Sequence, residues 1–100
     1  EAARKLAERM MTRGGNSPDE RVAFAFRLAT SRAPQPAELA VLLGSLAEHR
    51  TRFADDAKSA LALVSTGESP RDERLPVAEI AAYTAVANLI LNLDETITRP

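Results

Sequence analysis

His49 is the only histidine of the chain, and it stands between Glu48 and Arg50. An imidazole titrates near neutrality and could serve as a general base, but that chemistry needs a reacting group and an orienting partner within hydrogen-bond reach. No spacing in the sequence supplies either, so His49 reads as a solvated residue on the charged side of a helix. The carboxylates fare no better as a metal site. Asp55-Asp56, Asp72-Glu73 and Asp94-Glu95 are adjacent pairs, and neighbouring helical residues point about 100° apart instead of converging. Neither the calcium-loop spacing nor His-Glu-x-x-His is present. Asp55-Asp56 suits a helix N-terminus, where negative charge is favoured. No residue is assigned to catalysis, to a cofactor or to a metal.

The chain has no cysteine, which removes disulfides, thiolate nucleophiles, cysteine-ligated zinc and covalent haem attachment, and leaves the redox compartment open. Gly14-Gly15 is the one glycine pair, and it ends a helical pattern instead of following a strand as phosphate-cradling loops do. Arg4, Lys5, Arg9 and Arg13 form a basic stretch on the first helix, continued by Arg21 and Arg27. Glu1 and Glu8 interleave, no exposed aromatic accompanies them, and the net charge is -1. The stretch therefore reads as a solvated face and not as a nucleic-acid surface.

One group of polar residues interrupts an otherwise apolar region. Asn88 and Asn92 stand four apart on the most hydrophobic helix, ahead of Asp94, Glu95, Thr96, Thr98 and Arg99. A buried asparagine costs free energy unless its amide is partnered. Asn92 is therefore expected to close the end of a neighbouring helix or loop, with Glu95 paired to Arg99 one turn on. The functional alternative is a polar docking edge.

The elements that position these residues are helices. Residues 2–13 carry Ala3, Leu6, Ala7 and Met10 at helical spacing, and Gly14-Gly15 stops them. Ser17-Pro18-Asp19-Glu20 is a capping box with proline at the first helical position, opening a helix to about Thr30 that buries Val22, Ala25, Phe26 and Ala29. Ala33-Pro34-Gln35-Pro36 breaks it. A third helix follows with Leu39, Leu42, Leu43, Leu46 and Phe53 on one stripe and Glu38, Glu48, Arg50 and Arg52 on the other. Gly44 lies inside it, a position that can admit a neighbouring helix closely. Asp55-Asp56 begins a short fourth helix ending at Gly67, and residues 67–75 form a weakly anchored loop. Pro76 opens a last helix to about Leu93 whose apolar residues cover most of its circumference, the pattern of a helix surrounded by others. No strand alternation or hairpin signal appears. The fold expected is all-α, a compact bundle of about five helices around a largely buried C-terminal helix.

Composition agrees. One hundred residues with 45% hydrophobic and 27% charged make one globular domain, 1–100, large enough for a continuous core. No run reaches the roughly 20 apolar residues needed to cross a bilayer. The chain starts at Glu1 without a signal-peptide pattern, and is expected to be a piece of a longer protein.

Two short motifs resemble a known family. Leu28-Ala29-Thr30-Ser31-Arg32-Ala33-Pro34, continuing to Glu38-Leu39, resembles an L-x-x-x-R-x-P-x-x-x-E-L pattern, and Leu91-Asn92-Leu93-Asp94-Glu95 resembles L-N-x-x-E. Together they are similar to the C-terminal region of a planctomycete-specific domain family of unknown function, found with planctomycete cytochrome-c-like segments. The family commonly has an aromatic after that glutamate, where this chain has Thr96. The resemblance implies a helical fold and a cell-envelope context, and it implies no activity. Arg32, Pro34, Glu38, Asn92, Glu95 and Arg99 are the candidate structural or docking residues.

The expected function is a non-catalytic helical packing or interaction module of a larger cell-envelope protein. Its partners would be other domains of that protein or a separate protein, with no nucleic acid and no membrane insertion; oligomeric state is left open. The alternative is a helical fragment that contributes to an active site completed by other domains of a parent enzyme, which a polar cleft around His49, Asn92 or Glu95 would favour.

Overall fold

Each helix boundary follows from a local signal. The computed structural model describes residues 2–65 and 70–98, with side chains through Leu93. It holds five α-helices: α1 (Ala2–Arg13), α2 (Pro18–Thr30), α3 (Pro36–Asp55), α4 (Ala57–Val64) and α5 (Val77–Thr98). Among the described residues there is no strand. The domain is the all-α bundle expected from the apolar periodicity.

α1 ends where the Gly14 amide donates to the Met10 carbonyl at 3.1 Å. A Cβ on Gly14 would meet that carbonyl oxygen at 2.5 Å and the Arg21 Cα at 3.1 Å, so glycine is needed for α2 to start this close. Gly15 continues with φ +108°, a left-handed conformation that glycine adopts freely. Ser17 then caps α2, its hydroxyl oxygen accepting the Glu20 amide at 3.2 Å. The second half of the capping box differs from the expected one: the Glu20 carboxylate accepts from the Ser17 hydroxyl at 3.0 Å. α2 stops at Ser31, which has φ 64° and donates its amide to the Arg27 carbonyl at 2.9 Å. The break thus comes before the Ala33–Pro36 segment. Asp56 separates α3 from α4, its carboxylate accepting both the amide (3.0 Å) and the hydroxyl (2.7 Å) of Ser59. α5 runs about a turn beyond the expected Leu93, since no glycine or proline intervenes before Pro100.

The core is built on α5, which touches each of the other four helices. Ile80, Ala81, Ala82, Tyr83, Val86, Ala87 and Ile90 of α5 are buried. They meet Ala7 and Met10 of α1, Val22, Ala25 and Phe26 of α2, Leu42, Leu46 and Phe53 of α3, and Ala60 and Val64 of α4 in one cluster. The alanines let neighbouring helices come near, and Tyr83, Phe26, Met10 and Ile90 fill the volume between them. Beyond Ile90 the helix emerges, with Leu93 40% exposed.

Four sequence expectations are corrected by packing. Arg4 does not belong to the solvated stretch of α1. It is 2% exposed, and its guanidinium Nη1 donates to the Val64 carbonyl at 3.2 Å. That carbonyl ends α4, where backbone acceptors lack helical partners and positive charge is favoured. Arg50 is likewise drawn off the solvated face of α3, to Glu79 of α5. Gly44 admits no neighbouring helix among the described residues, since a Cβ there would have nothing within 4 Å. The segment before α5 is anchored within its described part: Asp72 donates its amide to the Glu8 carboxylate at 2.8 Å, and Leu75 packs on the core.

If α5 is enclosed only as far as Ile90, truncations on either side of that point should separate. Ile90→Ala should cost about 2–5 kcal/mol of unfolding free energy and Leu93→Ala less than about 1 kcal/mol, read from urea unfolding curves.

Candidate functional site

The first motif of the family resemblance forms the α2–α3 corner. Arg32 reaches over the turn and donates from Nη1 and Nη2 to the two carboxylate oxygens of Glu38, both at 2.9 Å. Glu38 Oε1 also accepts the Gln35 amide at 2.8 Å, so one carboxylate caps α3 and binds the arginine at once. The Arg32 guanidinium lies 4.9 Å from the centroid of the Phe26 ring. Pro34, between them, is half-buried. Hydrogen bonds from Arg32 and from the Gln35 amide hold the Glu38 carboxyl down at about 2. Two of the candidate residues are therefore paired across the α2–α3 corner, with Pro34 in the segment that joins the helices.

The second motif lies on α5, with its described part reaching Leu93. Asn88 and Asn92 are both exposed, so the cost of burying an amide does not arise, and Asn92 borders a groove between α3 and α5. The expected pairing of Glu95 with Arg99 lies outside the described residues.

His49 is half-buried and engaged locally, which corrects its reading as a solvated residue. Its Nδ1 stands 2.8 Å from the Ser45 carbonyl oxygen and 3.3 Å from the Ser45 hydroxyl, and its ring stacks on Phe53 with centroids 6.0 Å apart. Among the described residues no three His, Cys, Asp or Glu side chains gather as a metal site would require.

A polar cluster that the sequence did not reveal surrounds Tyr83, which is fully buried. Arg50 donates to Glu79 through Nη2 (2.6 Å) and Nε (3.0 Å). The Arg50 guanidinium lies 6.0 Å from the tyrosine ring centroid and that of Arg21 5.5 Å. Arg21 Nη1 donates to the tyrosine hydroxyl at 3.4 Å, and its Nε donates to the Gly15 carbonyl at 3.1 Å. The hydrogen bond from Arg50, with the nearby charges of Arg50 and Arg21, lowers the Glu79 carboxyl below its ordinary range. This cluster ties α2, α3 and α5 together at a buried ring. Nothing in the spacing of residues 21, 50, 79 and 83 announces it, because their proximity is wholly tertiary.

The remaining feature is apolar. Val41, Leu42, Leu89, Asn92 and Leu93 line a shallow groove of about 270 Å³ between α3 and α5. Val41 is 71% exposed and Leu89 42%. The sequence signal for this groove was Val41 itself, an aliphatic residue off the Leu39–Leu42–Leu46 stripe. The outward row of α3 continues with Ala37, Ala40, Gly44 and Ala47, all exposed. No helix is long and apolar enough to cross a membrane among the described residues. No known protein family, curated protein or solved structure matches the chain.

The corner at Glu38 has a pH signature. A carboxyl whose folded pKa lies below its unfolded value stabilises the fold above the unfolded value and loses that contribution as pH falls through the folded one. Acid titration of stability should therefore show a loss between about pH 4.5 and about pH 2 that is smaller in Glu38→Gln, measured as the urea midpoint at each pH.

Proposed function

We propose that this chain is a non-catalytic helical interaction module of a larger protein, and that it docks an amphipathic helix of a neighbouring domain in the groove between α3 and α5. The observation that carries this reading is the exposure of Val41, Leu89 and Leu93 side by side, where each loses favourable burial. A helix is the occupant that suits the surface. Ala37, Ala40, Gly44 and Ala47 leave the outer side of α3 without large side chains, so a second helix axis can come close while its own aliphatic residues enter the groove beside Leu89 and Leu93. Gly44 costs up to about 1 kcal/mol relative to alanine inside a helix, and among the described residues a Cβ there would meet nothing within 4 Å.

The polar residues support a module over a reaction centre. Arg32, Glu38, Arg50, Glu79 and His49 are engaged in contacts that join helices or cap them. The cell-envelope setting rests on the resemblance of the Arg32–Glu38 and Leu91–Glu95 segments to the planctomycete domain family.

Hydroxyl-radical footprinting of the isolated chain and of the complete parent protein tests the reading. Val41, Leu89 and Leu93 should be oxidised readily in the isolated chain and several-fold less in the parent, with exposed Leu61 as the internal reference. Equal oxidation of the three in both would refute docking at this groove.

A further inference from the structure

α1 presents a second surface, of opposite character. Lys5, Arg9 and Arg13 are exposed and lie four residues apart, so they form a row along one side of the helix with steps of about 6 Å. Together with Glu8, Asp72 and Arg74 they line a polar groove of about 490 Å³ between α1 and the segment that precedes α5. The two acids of the groove are already committed. Glu8 accepts the Asp72 amide at 2.8 Å, and Asp72 binds Arg74 through two hydrogen bonds of 2.9 and 2.8 Å. Lys5, Arg9 and Arg13 make no ion pair with any described residue. The groove thus holds four cations against two carboxylates, on a chain whose net charge is -1. Its shape is maintained by the Glu8–Asp72 hydrogen bond between the two walls.

We propose that this groove binds an acidic peptide segment of a partner protein, with carboxylates spaced to meet Lys5, Arg9 and Arg13. The row spans about two helical turns, the reach of a short peptide. Carboxylates on a bound segment would pair with the three cations, whose charge is not taken up by the committed Glu8 and Asp72. Among the described residues no aromatic side chain lines the groove to stack the bases of a nucleic acid. Charge complementarity of this kind acts mainly on selectivity and association rate, and it weakens with salt.

Fluorescence polarisation with the purified chain tests the proposal, using a labelled glutamate-rich peptide with acids at every fourth residue and a labelled single-stranded oligonucleotide of equal charge. The peptide should bind at low salt and weaken on the order of tenfold at high salt. The triple variant Lys5→Glu, Arg9→Glu, Arg13→Glu should lose binding, while Arg27→Glu, an exposed cation elsewhere, should keep it. Circular dichroism verifies that each variant is folded; should the triple variant not fold, Arg9→Glu alone is read in its place, with a several-fold loss expected. No peptide binding at low salt, binding unaffected by charge reversal in the row, or tighter binding of the oligonucleotide would overturn the proposal.

Discussion

A helix that is apolar around most of its circumference cannot rest on one neighbour, and α5 imposes that condition on the whole chain. From Ile80 to Ala87 it exposes almost nothing, and it can do so only because four helices surround it. The hydrophobic effect sets the requirement, and the alanines at 81, 82 and 87 make it geometrically possible by letting backbones approach. The other helices are amphipathic and contribute one stripe each. Their capping residues, Ser17, Gln35–Glu38 and Asp56, fix where they begin, so that the stripes face the same axis.

Around that apolar axis the charged residues have two distinct roles. Some are used inside the domain: Arg4 satisfies the end of α4, Arg32 binds Glu38 across a corner, and Arg50 reaches Glu79 above a buried tyrosine. All three are arginines, whose guanidinium group offers several donors in one plane and loses less than an ammonium when partly desolvated. Others point outward without an ion-pair partner among the described residues, as do Lys5, Arg9 and Arg13. α1 illustrates the division within a single basic stretch. Arg4 falls on the same side as Ala7, and Lys5, one residue later, faces water.

Two surfaces of unlike chemistry are the ones we propose for other molecules. The α3–α5 groove offers aliphatic side chains and a row of small residues, and the α1 groove offers cations held in register. The first suits burial of a helix, and the second suits an acidic segment whose attachment depends on ionic strength. They draw on separate residues, so each can be altered without disturbing the other.

Much of this protein was legible in the sequence, since the relevant physics is local. Apolar spacing, the glycine pair at 14–15, the capping serine and the prolines at 18 and 36 act within a few residues, and they determined the five helices and the central place of α5. What the sequence left undetermined depended on separation along the chain. Arg4 and Val64 are 60 residues apart, Arg50 and Glu79 are 29 apart, and no periodicity links such positions. Asn88 and Asn92 were misplaced inward for a related reason: a largely apolar helix does not announce the turn at which it leaves the core, since that depends on where its neighbours end. The tertiary structure alone decided which arginines are bound and which are free, and which aliphatic residues line a groove, because desolvation and pairing are set by what the folded chain brings near.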